Sequence, residues 1–184
     1  EKNIIEQEYA GKNKALEIFL HKYADYSNLR TVIEDFSSTL VLDKICDIIV
    51  RSTLNTIGKG ELVLLYLFDL KENSLSLRAS KSIDRKKRTK IKKGDIFDQW
   101  VLRNKQQLLL GDVKNDVRFD IGQSRVGDEL SCVMISPLMY QSRVVGTLRI
   151  NSGEVESFSI EDFRVFSIIA GLASAAISNA FLYQ

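Results

Sequence analysis

Histidine, cysteine and proline are scarce in this 184-residue chain, which contains one, two and one of them. The single histidine, His21, excludes most histidine-based metal sites and acid–base sites. Cys46 and Cys132 stand far apart, which is neither a disulfide framework nor a metal-ligand spacing and is typical of a protein from a reducing cytoplasm. The sequence also lacks a recognisable catalytic triad, a pair of catalytic carboxylates and a phosphate-binding glycine loop. These absences argue against an enzyme.

Net charge is small as well, at +2, and much of the basic character is concentrated in one run. Seven lysines and arginines fall within residues 84–93, and acidic residues outnumber basic ones in the rest of the chain. The run has no interleaved aromatic residues that would stack on bases, and its like charges repel one another. This pattern favours a solvated loop. The alternatives are contact with an acidic partner or a membrane surface and, least favoured, nucleic-acid binding.

A long helix is predicted from residue 4 to about residue 40, because apolar residues recur at alternating gaps of four and three. The phase slips once, at Ser27–Asn28, as in a short parallel coiled coil with one stammer. The alternative is an amphipathic helix packed on its own domain. We predict a coiled-coil-like signalling helix over residues 1–40 and a globular domain over residues 41–184.

The remaining chain combines short helices with β-hairpins, and Pro137 indicates a bulge or a sheet edge in the second hairpin. The predicted elements are a helix from Asp43 to about Gly58, a hairpin over 62–79, a helix from about 94, a strand near 107–113, a hairpin over 131–152 and a final helix from Ser159. This order predicts an α+β fold. An antiparallel sheet of about five to six strands would carry the N- and C-terminal helices on one face.

The final helix contains no charged residue after Arg164, so its length and composition also suit a membrane span. Its serines and the lack of flanking cations favour instead a helix with two buried faces, one on the sheet and one on a partner helix. Ser159 and Asp162 predict a cap at its start. The predicted dimer-interface residues of the two terminal helices are Leu16, Phe19, Tyr23, Phe166, Ala170, Ala173, Ile177 and Ala180.

Four stretches occur in the order "LVLLYLFD", "GDIFDQWVLRNKQQLLLGDVKNDVRF", "SCVMISPLMYQSRVVGTLRINS" and "FSIEDFRVFSIIAGLASAAISNAFLY". Together they resemble a GAF domain, the small-molecule-sensing relative of the PAS fold, over about residues 36–183. The resemblance implies a regulatory module of a bacterial signalling protein that dimerises through its terminal helices. It also implies that the module passes a ligand signal to an output domain such as a histidine kinase or a cyclase.

The ligands known for the family match this sequence poorly. Of the cyclic-nucleotide pattern, Asn151, Phe158 and Asp162 are present, but Ser152 and Phe163 replace the lysine and the glutamate. Bilin attachment requires a positioned cysteine, usually with a histidine nearby, and Cys132 has no such neighbour. Haem ligation requires a proximal histidine, and the only histidine, His21, lies in the predicted coiled coil. The family members that reduce methionine sulfoxide require several cysteines around the pocket. The two cysteines here are therefore predicted to be small buried hydrophobic residues, and no haem, bilin or metal is indicated.

The resemblance implies a pocket between the sheet and the short helices of the middle segment. The alternative is that large side chains at these positions fill a core and leave no cavity. The candidate ligand-binding residues are Tyr66, Phe68, Phe97, Trp100, Phe119, Cys132, Met134 and Ser136.

We therefore predict a non-catalytic, cytoplasmic sensory module that forms a homodimer. It would relay the binding of a small molecule or a protein partner to an output domain in the full-length protein. The alternative is a purely structural dimerisation module with no ligand.

Overall fold

The computed structural model describes residues 27–84, 93–119 and 130–183. The chain divides into two compact units, Glu1–Glu34 and Asp35–Gln184. The described residues of the first unit, 27–34, are helical, and Arg30 pairs with Glu34 one turn away. Most of the predicted coiled-coil seam, including Leu16, Phe19 and Tyr23, lies outside the described residues. So does the basic run over 85–92.

The second unit is an α+β domain with a five-stranded antiparallel sheet, as the sequence predicted. The strand order across the sheet is β2-β1-β5-β4-β3. The described elements in chain order are α1 (helical over 27–37), α2 (Leu42–Ile57), β1 (Leu62–Asp69), β2 (Ser74–Ser82), α3 (Ile96–Asn104), β3 (Leu108–Leu110), β4 (Cys132–Tyr140), β5 (Arg143–Ser152) and α4 (Ile160–Leu182).

Helix α2 forms because its apolar residues repeat with helical period. Leu42, Ile45 and Ile49 are all buried, and this stripe packs on β1, β2 and α4. The helix ends at Gly58, whose φ of 67° is left-handed and whose amide donates to the Leu54 carbonyl oxygen. A side chain would be strained at this angle, so the glycine supplies the stop that the sequence predicted.

The first hairpin contains a bulge that its sequence pattern does not reveal. Leu65 pairs with Ala79, but the next residue, Tyr66, pairs with Leu77, so Arg78 is the extra residue. Because a one-residue insertion reverses the facing of all later side chains, Leu77 and Ala79 lie on opposite faces of the sheet. Simple alternation had placed them on one face.

The second hairpin turns at Gln141 and Ser142, whose φ angles of 44° and 65° suit a two-residue turn between twisted strands. Strand β3 reaches only as far along β4 as Ile135, so Pro137 lies where β4 has become an edge, next to a bulge at Leu138/Met139. This confirms the prediction for the proline.

The two faces of the sheet carry different elements. Helices α2 and α4 pack on one face, termed here the helix face, and α3 packs over β4 and β5 on the other, termed the α3 face. The strand register places alternate residues on each side. Arg149 and Ile135 point to the α3 face, whereas Ile150 and Met134 point to the helix face. The register thus decides which side chains can meet α3.

Candidate functional site

Two aspartates cap the start of helix α3: Asp95 at the N-cap position and Asp98 three residues later. The Asp95 side chain accepts hydrogen bonds from the amides of Phe97 and Asp98, at 2.9 and 3.4 Å. In return, the Asp95 amide donates to Asp98 Oδ2 at 3.2 Å, which completes a capping box. The helix then turns Phe97 and Val101 into the core, where both are fully buried. The cap therefore fixes two carboxylates against the sheet.

Arg149, on the central strand β5, is the counter-ion of both carboxylates. Its Nη1 donates to Asp95 Oδ2 at 2.7 Å and to Asp98 Oδ2 at 2.8 Å, and its Nε donates to Asn151 Oδ1 at 2.7 Å. Thr147 donates its hydroxyl hydrogen to Asp98 Oδ1 at 2.9 Å. The Arg149 side chain is 2% exposed and the Asp98 side chain 0%, so this is a buried ion network between helix and sheet.

The network holds two carboxylates and one guanidinium, so it contains more negative than positive charge. Burial raises the pKa of Asp98, Arg149 lowers it and the charge of Asp95 raises it, and together these effects bring it to about 6. Burial also opposes the charge on Arg149, but Asp95 and Asp98 outweigh this and raise its pKa. Asp98 thus takes up a proton at a higher pH than an ordinary aspartate does.

Apolar clusters flank this polar strip on both sides of the α3 face. One lies over β1 and β2 and includes Leu64, Tyr66 and Leu75. The other lies over β3 and β4 and includes Phe97, Val101, Leu108, Leu110, Val113, Leu130, Val133 and Ile135. The Tyr66 hydroxyl is buried and has no hydrogen-bond partner among the described residues. Burial raises the pKa of this phenol, and Asp98 raises it further, so the hydroxyl keeps its hydrogen.

The eight predicted ligand-binding residues fall into two groups. The α3 face carries five of them, namely Tyr66, Phe68, Phe97, Trp100 and Phe119. Within this group, the Phe119 ring lies edge-on to Phe97 and Trp100, with centroids 4.9 and 6.2 Å apart. The other three lie on the helix face, because the register of β4 turns them away from α3; they are Cys132, Met134 and Ser136. The structure therefore does not bring all eight together.

Both cysteines are buried free thiols, as the sequence predicted. Cys46 lies in α2, where burial raises the pKa of its thiol to about 12, and Cys132 lies on the helix face of β4. At neutral pH Cys46 is almost entirely protonated, which is the unreactive form of a cysteine. Neither thiol is on the side of the sheet that carries the ion network.

The helix face has a polar contact of its own. Gln107, just after α3, donates from Nε2 to Ser136 Oγ at 3.1 Å, and Ser167 of α4 donates to Gln107 Oε1 at 2.6 Å. Further along α4, the Ser174 hydroxyl accepts the Met139 amide at 3.0 Å. That amide lies opposite the bulge of β5, whose extra residue is Val145, in a part of β4 that β3 does not reach. These two serines fix the register of α4 on the sheet.

The predicted dimer stripe of α4 has a different role in the structure. Phe166, Ala170, Ala173, Ile177 and Ala180 are all buried within the chain, on the side of α4 that packs on β4 and α2. They are therefore not available to a partner helix. The assignment from sequence was wrong because α4 is apolar on nearly all sides. Its composition therefore does not show which side of the helix packs on the sheet.

The side of α4 that remains exposed is also free of charge after Arg164. Ile168 is 48% exposed and Leu182 is 68% exposed, and between them lie exposed Gly171, Ala175 and Asn179. A β-carbon added at Gly171 would meet no atom within 4 Å. We call these five residues the outer stripe of α4.

Sequence reasoning missed the ion network itself. A signal for α3 was present: Asp95 and Asp98 have the same spacing as the Ser159 and Asp162 cap of α4. Arg149 stands among the apolar residues of β5, and a charged residue in a central strand calls for a buried partner. The sequence did not show that the two features meet.

A family model described as "GAF domain" matches residues 39–178, about three quarters of the chain. The chain therefore belongs to the GAF domain family. No curated protein sequence matches the chain.

Solved structures with this fold include several kinds of protein. The GAF domain of Acinetobacter phosphoenolpyruvate-protein phosphotransferase has a TM-score of 0.72 at 20% identity, covering 86% of this chain and 95% of that one. A free methionine-R-sulfoxide reductase from Neisseria meningitidis, in complex with its substrate, also has a TM-score of 0.72, at 14% identity, covering 87% and 92%. The GAF domain of the cyanobacteriochrome TePixJ has a TM-score of 0.66 at 12% identity, covering 80% and 95%. At these identities the similarity shows the fold alone.

Proposed function

We propose that this chain is a non-catalytic sensory or regulatory GAF module. It forms a homodimer through its terminal helices in the cytoplasm and relays the binding of a small molecule or a protein partner to an output domain of the kinase or cyclase type. The observation that carries the proposal is the outer stripe of α4, an exposed surface without charge on a helix whose opposite side is fixed to the sheet.

The outer stripe supports self-association for a physical reason. Exposed apolar surface is costly in water, and an uncharged stripe containing glycine and alanine lets a second helix approach closely. By length and composition α4 would also suit a membrane span. Inserting it would, however, strip Phe166, Ala173 and Ile177 from the sheet that now buries them. We therefore favour a second copy of the chain as the partner of this surface.

The positions of the cysteines support a non-catalytic role. One of the structural neighbours is a methionine-R-sulfoxide reductase, so the fold does not by itself exclude an enzyme. In this chain, however, Cys46 and Cys132 are buried and lie away from the α3 face. A thiol that reacts with a substrate must be accessible, and burial opposes this for both cysteines. For Cys46, burial also raises the pKa of the thiol.

Two observations on the α3 face bear on a ligand, and they point in different directions. The Tyr66 hydroxyl beside the ion network has no hydrogen-bond partner in the described part of the chain, which favours a bound molecule that would satisfy it. The complete burial of Tyr66, Phe97, Leu108 and Leu110 favours the alternative, a filled core in a structural dimerisation module. Native mass spectrometry of protein purified from its host separates them, since a sensor would retain a small molecule and a structural module would not.

Cyclic nucleotides are the less favoured ligands, because residues at the positions of the cyclic-nucleotide pattern already have structural partners. Asp162 bonds to Ser159 and to Lys59 Nζ, at 2.7 Å in the latter case. Ser152, which stands where cyclic-nucleotide binders have lysine, is buried and accepts the Glu154 amide at 3.2 Å.

Sedimentation velocity tests the homodimer. Ile168→Glu places a charge in the middle of the outer stripe, and we expect it to shift the protein from dimer to monomer. The matched control is Leu70→Glu, which changes an equally apolar residue that is 87% exposed on the first hairpin. A monomeric wild-type protein at tens of micromolar, or a dimer that tolerates Ile168→Glu, would refute dimerisation through this stripe.

A further inference from the structure

We propose that Gln107 is a positioning residue that couples α3 to α4, so that a displacement of α3 on one face of the sheet changes the position of α4 on the other. The inference rests on the proposed function, in which the α3 face receives the signal and α4 passes it on. It names the contact through which the two faces communicate.

The position of Gln107 allows this. It follows α3 after a connection of two residues and precedes β3, so any movement of the C-terminal end of α3 is passed to it directly. Its side chain reaches the helix face, where one end of the amide contacts Ser136 and the other contacts Ser167. A single side chain thus connects the segment after α3, strand β4 and helix α4.

The contact with α4 can be broken at little cost. Ser167 Oγ lies 2.6 Å from Gln107 Oε1 and 2.7 Å from the Phe163 carbonyl oxygen of its own helix. A hydroxyl has one hydrogen, so the two acceptors compete for it. If Gln107 withdraws, Ser167 keeps a full hydrogen bond to the Phe163 carbonyl oxygen within α4, so its hydroxyl is not left unpaired. The link therefore has two states, each of which satisfies Ser167.

The other end of α3 is also anchored, but to the opposite face. Asp95 and Asp98 bind Arg149, and Thr147 binds Asp98. Helix α3 is only nine residues long, so it moves as one rigid body between these anchors. Weakening the bonds from Thr147 and Arg149 to α3 should consequently displace Gln107 and, through Ser167, helix α4.

The experiment combines a perturbation of α3 with a break in the link, read from backbone amide chemical shifts of residues 170–180. Thr147→Val removes the hydroxyl bond to Asp98 with little change in shape. We expect it to shift the amide signals of both α3 and α4. In the background of Gln107→Met, which keeps the length of the side chain but not its bonds, the shift in α4 should be lost while that in α3 remains. Ser167→Ala, which removes the α4 end of the link, should have the same effect.

The matched control is Gln106→Met, because Gln106 is the exposed neighbour of the same residue type. In this background Thr147→Val should still shift the α4 signals. Signals of α4 that respond equally with and without the Gln107 link would overturn the proposal, because the coupling would then pass through β4. If Thr147→Val leaves α3 itself unchanged, Asp98→Asn provides the stronger perturbation, and α4 signals that ignore it would overturn the proposal as well.

These outcomes are independent of the test of the proposed function. Coupling within one chain can be present in a protein that sediments as a monomer. Equally, the outer stripe can mediate a dimer in a protein in which Gln107 transmits nothing. A negative result in the chemical shifts would therefore overturn the coupling and leave the dimer untouched. A negative result in sedimentation would overturn the dimer and leave the coupling untouched.

Discussion

Both faces of the sheet are covered by helices, but different interactions hold the helices on each face. On the helix face, α2 and α4 are held mainly by apolar area, and serine hydroxyls set the register. On the α3 face, a short helix is held by two carboxylates on one buried arginine between two apolar clusters. A nine-residue helix buries too little apolar surface to be fixed by area alone. The ion network supplies the orientation that area does not.

The difference teaches where the structure can be changed by small causes. Apolar contacts tolerate sliding and respond weakly to pH or charge, whereas a buried ion pair has a defined geometry and depends on protonation. The α3 face is therefore the side on which one proton, one ligand group or one substitution has a large effect.

The largest effect is expected from removing the arginine. Arg149→Met leaves Asp95 and Asp98 buried without a counter-ion, which should lower the free energy of unfolding by about 3–5 kcal/mol. Denaturant unfolding followed by circular dichroism measures it. The control is Arg78→Met, because Arg78 bonds to Asp43 at the surface, with 45% and 73% of the two side chains exposed. Such a pair should contribute less than about 1 kcal/mol. Equal losses for the two variants would mean that the ion network does not hold α3.

The next largest effect is a dependence of the free energy of unfolding on pH, to which Asp98 on the α3 face contributes. The pKa of Asp98 is raised from 3.8 to about 6 in the folded protein, so the folded state binds this proton more tightly than the unfolded state. The contribution of Asp98 to stability is therefore fully present below about pH 4 and is lost as the pH rises through about 6. The loss is on the order of 3 kcal/mol, since one unit of pKa corresponds to about 1.4 kcal/mol.

The difference in unfolding free energy between wild type and Asp98→Asn isolates this effect. Other groups whose pKa is shifted, such as Asp162, are present in both proteins and cancel. Carboxyl carbon NMR gives the same pKa directly, with an expected midpoint for Asp98 near 6. A midpoint at or below the ordinary value of 3.8 would show that Arg149 outweighs burial.

The smallest effect is expected on the helix face. Ser174→Ala removes the acceptor of the Met139 amide, which lies opposite the bulge of β5, and an amide left unpaired there should cost about 1–2 kcal/mol. Ser178→Ala is the control, because the described bond of its hydroxyl is to the Ser174 carbonyl of the same helix. That change should alter stability by less than about 0.5 kcal/mol. Thermal unfolding of the two variants would contradict the assignment if they lost the same stability.

Much of the fold was predictable because local signals agreed with one another. Gly58 ends α2 and Ser159 caps α4, each at the position that its residue type predicts, and the two strand patterns on either side of Gln141 and Ser142 place the turn of the second hairpin there. These are properties of a few neighbouring residues, and the tertiary structure reinforces them.

Features that depend on distant residues were not predictable. The bulge at Arg78 leaves no trace in the alternation of β2, yet it decides the facing of Ala79. The buried side of α4 is set by which residues meet β4, and an apolar helix looks alike from every side. The contact between Asp98 and Arg149 joins residues that are 51 positions apart. For the candidate site, the sequence therefore indicated which residue types take part, but not which face of the sheet each side chain occupies.

Gly146 lies where β5 and β1 approach too closely for a side chain. It pairs with Leu138 on one side and Leu67 on the other, and a β-carbon there would collide with the Tyr66 carbonyl oxygen. Pro137 and Gly146, nine residues apart in sequence, thus lie on neighbouring strands near one spot of the sheet. Any side chain at position 146 would therefore push β1 away from β5, the two strands that join the halves of the sheet.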